Sequence, residues 1–166
     1  ETVAYNLNRR NQHLQLFEFG KTYATTAVGA YQEEEHLCIY LTGQAHEAGW
    51  REKPGSFDVY HGKGIAQAVL QLTGLNDIRF QTAENNTSVL EVYQGKKLLG
   101  IVTEVDRKKA SAFDIKQTVV FVDLNYQSVV KSANKQKIVY KEVNKFPAMQ
   151  RDLAMVLNRT TTYGAI

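Results

Sequence analysis

The chain has 166 residues, of which 43% are hydrophobic and 22% are charged, and its formal net charge is +3. A chain of this length can bury about 70% of its unfolded surface, which predicts one main domain with at most a short appendage. The mixed charge argues against a dedicated nucleic-acid binder, and no apolar run reaches the roughly 20 residues that a membrane-spanning helix requires.

Regular alternation or runs of apolar residues between turn residues predict nine strands. They cover residues 2–8, 14–19, 36–42, 78–82, 89–93, 97–103, 118–123, 138–143 and 151–157. The strands at 89–93 and 97–103 are separated by the sequence QGK, where Gly95 can adopt the positive φ angle of a tight turn. These two strands are therefore predicted to form an antiparallel hairpin. The same pairing is predicted for the first two strands, across the sequence RRNQH.

Three helices are predicted between these strands. The longest covers 62–75 and ends near Gly74, which suits a left-handed cap. Its apolar stripe consists of Ile65, Ala68, Val69 and Leu72. A shorter helix is predicted over 104–113, and another follows Asn125, whose amide can cap the sequence YQSVVKSA. Antiparallel strands with a few helices indicate an α+β fold, an antiparallel sheet flanked by helices on one face.

The common catalytic and metal-binding motifs are missing from the sequence. There is no nucleophile elbow and no phosphate-binding loop, and the two glycines in HGKG predict a close approach of the helix to the sheet. The triple carboxylate in EEEH predicts a solvated turn that leads into a strand. The histidines lack partners at metal-ligand spacing, so no metal site is predicted. They are His13, His36, His46 and His61.

Three further features leave alternatives open. The lone cysteine, Cys38, lies in the apolar run HLCIYLTG, so it is expected to pack as a small hydrophobic side chain in a reducing, cytoplasmic protein. Trp50 and Arg51 either stack on a base or ligand or close the edge of a core. Basic residues crowd the last third of the chain and favour a solvated surface, with RNA contact as the alternative. They are Lys131, Lys135, Lys137, Lys141, Lys145 and Arg151.

Several stretches taken in order carry a family resemblance. The sequences LFEFGKTY, EEEHLCIYLTG, DVYHGKGIAQAVLQLTGL, FDIKQTVVFVDLNYQSVV and FPAMQRDLAMVL resemble, in order and spacing, the beta subunit of bacterial phenylalanyl-tRNA synthetases. One stretch departs from the family pattern, because AENNTSVLEV replaces a His-Pro-Gly-Arg-Ser-like segment. The resemblance implies a non-catalytic domain like those of class II aminoacyl-tRNA synthetases at residues 1–137, truncated at its N-terminus. It also implies a linker and the truncated start of a ferredoxin-like anticodon-binding domain at residues 138–166.

The resemblance also implies a division of labour. The alpha subunit of an alpha-two beta-two ligase would attach phenylalanine to tRNA(Phe) with ATP and magnesium, while this part supports it, has no catalytic residues and binds no cofactor. Within this chain, Lys145 and Arg151 are the candidate RNA contacts. The alternative is a stand-alone RNA-binding module that uses the basic C-terminal segment. A free-standing active enzyme is disfavoured.

The reason for expecting no catalysis is a missing nucleotide clamp. Class II enzymes hold ATP with one arginine on a strand-loop-strand segment and a second at the head of a helix. The equivalent of the second site, TVVFVDLNYQSVV, has neither glycine nor arginine. Its four consecutive apolar residues are predicted to fill the nucleotide space, and Arg9 and Arg10 are predicted to be surface or interface charges. The four residues are Val119, Val120, Phe121 and Val122.

Overall fold

A six-stranded sheet organises the part of the chain that the structure describes. The computed structural model describes residues 1–46, 49–50, 55–135, 140, 142–143 and 145–161. The chain divides into two units, Glu1–Gln136 and Lys137–Ile166. The elements of the first unit, in chain order, are α1 (Thr2–Asn8), β1 (Leu14–Ala27), β2 (Ala30–Thr42), α2 (Val59–Leu72), β3 (Ile78–Ala83), β4 (Asn86–Gln94), β5 (Lys97–Glu104), α3 (Arg107–Ser111), β6 (Val119–Asn125) and α4 (Tyr126–Ala133).

The strands lie in the order β1-β2-β6-β5-β4-β3, and every neighbouring pair is antiparallel. The predicted α+β class is therefore confirmed. The predicted hairpin between β4 and β5 is confirmed as well, and Gly95 takes a φ of 59° in its turn. Strand β6 comes from the end of the unit, yet it pairs between β2 and β5, which brings distant parts of the chain together.

One face of the sheet carries the hydrophobic core beneath α2 and α4. Alternate side chains of each strand point to the same face, so a strand contributes every second residue to this core. The fully or almost fully buried members include Leu41, Leu70, Leu99, Val102, Val120, Val122 and Leu124. Asp58 caps α2, accepting hydrogen bonds from the backbone N–H groups of Tyr60 and His61. Asn125 caps α4 as predicted, by accepting from the Ser128 N–H.

The first predicted strand is wrong, because residues 2–8 form α1. The Tyr5 N–H donates to the Glu1 carbonyl at 2.9 Å, and the Asn6 side chain donates to the Thr2 carbonyl at 2.9 Å. These bonds between residues four apart close a helical turn that the strand propensity of Val3 and Tyr5 does not reveal. The predicted hairpin across RRNQH is therefore also wrong, and β1 pairs with β2 instead.

Strands β1 and β2 are longer than the sequence predicts, and they form a hairpin. Residues Leu14–Ala27 and Ala30–Thr42 pair along most of their length, and Gly29 turns the chain with a φ of 82°. The EEEH segment is therefore part of β2 and not a turn. Lys21 Nζ lies 3.4 Å from Glu33 Oε2 and 3.6 Å from Glu35 Oε1. This part of the hairpin is therefore stabilised by pairs of charged side chains across the strands, and it lacks the alternating apolar residues from which strands are predicted.

The buried face of α2 differs from the predicted stripe. Gly62, Ala66 and Leu70 are the buried residues of this helix, whereas Leu72 is 89% exposed. The predicted Ala68 is exposed too, while Ile65 and Val69 are partly buried and flank the core. Two of the three buried residues are small. A prediction based on large apolar side chains therefore selects a face of α2 that is rotated away from the face that contacts the sheet.

The C-terminal predictions have different outcomes. The strand predicted at 151–157 is wrong, because the structure places no helix or strand among the described residues 145–161. Leu153 is 80% exposed and Val156 fully exposed, which is consistent with a segment that has no sheet to join. The strand predicted at 138–143 lies largely outside the described residues. No helix in the described part of the chain is long and apolar enough to cross a membrane.

Candidate functional site

The face of the sheet opposite the core bears a cavity of about 900 Å³. Its floor is formed by residues of β1, β2, β4, β5 and β6, and the start of α1 and the region of α3 form its walls. At the centre of the floor, the rings of Tyr40 and Phe121 stack with centroids 4.8 Å apart and planes 28° apart. These two residues face each other because the register of β2 and β6 pairs them directly.

The cavity remains open because consecutive residues of β6 point to opposite faces of the sheet. Val119 and Phe121 line the cavity, while Val120 and Val122 are buried beneath α2. The prediction that all four residues fill this space is therefore wrong for two of them. A strand can direct only alternate side chains to one face, so a run of four apolar residues supplies two residues to the cavity and two to the core.

The charged groups around the cavity are mostly acidic. The carboxylates of Glu1, Glu18, Glu104 and Asp106 line it, and Lys109 is the single cationic side chain among the described lining residues. None of these lining residues is an arginine. The charges therefore favour a cationic or neutral occupant over a polyanion.

The two arginines near the first hairpin lie away from this lining. The Arg9 guanidinium stacks over the Tyr5 ring, 3.4 Å from its centroid, and Arg10 adopts a φ of 68° just after α1. Both side chains are exposed, as predicted for surface charges. The first residue of α4 is Tyr126 and not an arginine.

A polar cluster extends along the same face beside Tyr40. His36 Nδ1 lies 2.7 Å from Asp123 Oδ1, and the Cys38 thiol donates to the same oxygen at 3.9 Å. His36 Nε2 lies 3.3 Å from Thr22 Oγ1, so the cluster links β1, β2 and β6. Burial, followed by the negative charges of Asp123 and Glu18, raises the pKa of the Cys38 thiol to about 11. The thiol therefore remains protonated at neutral pH and is a poor nucleophile.

We expect Cys38 to react with a neutral alkylating reagent far more slowly at pH 8 than a free cysteine does. A pKa of about 11 leaves it with roughly a few hundredfold less thiolate than a group of pKa about 8.5. The rate, followed by mass spectrometry, should rise about tenfold per pH unit up to about pH 11. In Asp123→Asn the midpoint should move down, since a negative charge that opposes the thiolate is lost. A midpoint near 8.5 in the unmodified chain would contradict this assignment.

The HGKG segment places a helix against the sheet and does not form a phosphate loop. A Cβ atom at Gly62 would lie 2.7 Å from Val120 Cγ1 and 2.8 Å from Val102 Cγ1, so the predicted close approach is confirmed for this glycine. It is wrong for Gly64, where a Cβ atom would meet nothing within 4 Å. His61 belongs to the cap of α2, where its Nδ1 lies 2.6 Å from Asp58 Oδ1. No group of three potential metal ligands occurs in the described ranges.

Comparison with known proteins assigns the chain to a family. Residues 1–126 match the family model described as the phenylalanyl tRNA synthetase beta chain CLM domain. The chain belongs to this family. The resemblance expected from the sequence motifs is thus confirmed.

The relatives of this CLM domain are longer proteins. The phenylalanine–tRNA ligase beta subunit of Bacteroides thetaiotaomicron is 33% identical over 180 residues, which cover 100% of this chain and 22% of the relative. The corresponding subunit of Streptococcus pneumoniae is 32% identical over 174 residues, which cover 98% of this chain and 21% of the relative. The chain therefore spans about a fifth of the length of the curated relatives it matches.

The fold of the CLM domain is similar to that of a solved aminoacyl-tRNA synthetase. The crystal structure of pyrrolysyl-tRNA synthetase from Desulfitobacterium hafniense matches with a TM-score of 0.60 at 15% sequence identity. The match covers 80% of this chain and 46% of that chain. At this identity the likeness concerns the fold alone.

The predicted RNA contacts of the CLM chain, Lys145 and Arg151, lie in the second unit and are both exposed. Lys145 Nζ lies 3.9 Å from Glu142 Oε1, and such an exposed pair contributes little to stability. Their contact with RNA stays a prediction. Trp50 is 91% exposed and Arg51 lies outside the described residues, so stacking on a ligand also stays a prediction.

No sequence motif marks the residues that shape the open face of the CLM domain. Tyr40, Glu18 and Asp123 come from three strands and meet there only through the pairing of β1 with β2 and of β2 with β6. The alternation of side chains within each strand could have identified them, because it places Tyr40 of β2 and Phe121 of β6 on the face of the sheet opposite the core. Using this alternation requires the strand register, which no single segment contains.

Proposed function

We propose that this CLM domain is a non-catalytic, architectural part of a phenylalanine–tRNA ligase. It presents a class II sheet to the alpha subunit, which carries out the ATP-dependent attachment of phenylalanine to tRNA. The observation that carries the proposal is the cavity on the open face of the sheet, whose lining is unsuited to a nucleotide.

The cavity lacks the charge that phosphate binding needs. A triphosphate is held by forked arginine donors, by lysines or by backbone N–H groups that are free of competing negative charge. Among the described lining residues, four side-chain carboxylates surround the space and one cationic side chain, Lys109, opposes them. The electrostatic free energy of a bound triphosphate would be unfavourable at this rim.

The family to which the chain belongs supports the proposed subunit composition. The relatives are named as beta subunits, which implies an alpha subunit, and the proposed complex is an alpha-two beta-two tetramer in the cytoplasm. ATP and magnesium act in the alpha subunit, and the rest of the beta subunit contacts tRNA(Phe). Residues 1–137 are the class II-like domain, and residues 138–166 are a linker and the start of a ferredoxin-like anticodon-binding domain.

An apolar outer edge supports a role in assembly. Strand β1 is an edge strand of the sheet, and its Phe17 and Phe19 are 72% and 60% exposed. Their rings pack edge to face, and Phe19 makes the same contact with Tyr126. Aromatic rings exposed together are typical of surfaces that protein partners cover.

The cavity test uses the full-length beta chain in its complex with the alpha subunit. We expect the double substitution Glu18→Gln and Glu104→Gln to leave kcat and the KM for ATP in tRNA aminoacylation within about twofold of the unmodified complex, because no reacting group lies in this cavity. The substitution Glu91→Gln, on β4, is the matched control. A loss of kcat of about a hundredfold or more in the assembled double variant, which general acid–base or electrostatic catalysis would cause, would overturn the proposal.

A further inference from the structure

A group of basic residues gathers at one end of the sheet, far from the cavity. It consists of Arg79, Lys96, Lys97, Lys131 and Lys135, and we call it the lysine cluster. Arg79 belongs to β3, Lys96 to the β4–β5 turn and Lys97 to the start of β5. Lys131 lies in the last turn of α4, and Lys135 follows this helix. The fold therefore assembles the cluster from three separate stretches of sequence.

Two contacts position the cluster. The Lys97 ammonium group donates to the Ser128 carbonyl at 2.9 Å and to Ser132 Oγ at 3.4 Å, which joins the start of β5 to α4. The Arg79 guanidinium donates to the carbonyl of Gly95 in the β4–β5 turn. Lys96, Lys131 and Lys135 are exposed around these anchors, with their ammonium groups accessible to a partner.

The cluster carries positive charge without nearby compensation. Burial, followed by the positive charges of Lys135 and Lys131, lowers the pKa of Lys97, so these ammonium groups lie close enough to repel one another. The structure shows no carboxylate within 4.0 Å of any cluster member in the described part of the chain, although lysine–carboxylate pairs occur elsewhere, at Lys21 and Lys145. The carboxylates nearest in strand register are Asp77, next to β3, and Glu91, which accepts a hydrogen bond from Tyr93.

We propose that the lysine cluster binds phosphate groups of an RNA backbone, an inference that rests on the proposed ligase function. Lysine acts as a mobile point charge and is a common phosphate ligand. Lysine is also depleted in protein–protein interfaces relative to other surfaces, so the composition favours RNA over an acidic protein partner. Lys97, held by its two hydrogen bonds, fixes one position, and the exposed lysines around it can follow successive phosphates.

The test measures tRNA binding to the full-length protein in its complex as a function of salt. In the double variant Lys131→Gln/Lys135→Gln, the slope of log affinity against log salt should fall by about two units, one for each lost phosphate contact. Both side chains are exposed, so the fold should be unaffected, and Lys131→Arg/Lys135→Arg should restore the slope. The matched control is Lys108→Gln/Lys116→Gln, which removes the same charge near α3, at the opposite end of β5.

Each outcome has a defined meaning. If the unmodified complex binds tRNA with a steep salt dependence and the Lys131/Lys135 variant keeps that slope, the inference is wrong and the proposed function stands. An equal loss in the control variant would mean that net charge alone matters, which also overturns it. Weaker subunit association with an unchanged slope would assign the cluster to an acidic protein surface. If the unmodified complex fails to bind tRNA, both the inference and the proposed function are wrong.

Discussion

Gly62→Ala is expected to lower the free energy of unfolding by about 1–3 kcal/mol, the usual cost of overpacking a core. The new methyl group would lie 2.7 Å from Val120 Cγ1 and 2.8 Å from Val102 Cγ1, in a layer where the neighbouring side chains are fully buried. Either α2 moves away from the sheet or these side chains leave their preferred rotamers. Urea unfolding of the 166-residue chain measures the difference.

The matched control lies two residues further along the same helix. A Cβ atom at Gly64 would meet nothing within 4 Å, so Gly64→Ala should raise the free energy of unfolding by about 0.5–1 kcal/mol. The two substitutions add the same methyl group to the same helix and should have opposite signs. A shift of the same sign in both would refute the packing of α2 described above.

Leu70→Ala is expected to cost about 3 kcal/mol of stability, because Leu70 is fully buried beside the sheet and its truncation leaves a cavity. The cost should appear as a lower denaturant midpoint with little change in the slope of the transition. This substitution also tests which face of α2 meets the core.

Leu72→Ala provides the comparison for this second prediction. Leu72 is 89% exposed, so its truncation should change stability by less than about 0.5 kcal/mol. The apolar stripe predicted from sequence includes Leu72 and omits Leu70. If that stripe were the buried face, Leu72→Ala would cost more stability than Leu70→Ala. A larger loss in Leu72→Ala than in Leu70→Ala would therefore restore that predicted stripe.

Local patterns predicted the elements whose signals are confined to neighbouring residues. The turn at Gly95 and the cap at Asn125 were both correct, because each depends on one backbone angle or one side-chain hydrogen bond. The strand cores of β3 to β6 were located within a few residues. The part of β1 after residue 19 and the part of β2 before residue 36 were missed, since paired polar side chains such as Lys21 and Glu35 leave no apolar alternation.

Local strand propensity gave a wrong prediction for two segments, α1 and residues 151–157. Helix α1 contains strand-favouring residues, yet its backbone closes on itself from Glu1 to Tyr5. Residues 151–157 alternate as a strand should, yet the structure shows no strand there. A strand requires a neighbour to satisfy its backbone groups, and alternation alone does not provide one.

By itself, the amino-acid sequence established the family through collinear motifs, the α+β class through strand periodicity, and the turn and cap through local chemistry. Tertiary structure alone decided that β6 inserts between β2 and β5, which divides the apolar run at 119–122 between the core and the open cavity. It also brought Arg79, Lys97 and Lys131 to one end of the sheet. These arrangements depend on which strands pair and in what register, and pairing joins residues that are distant along the chain.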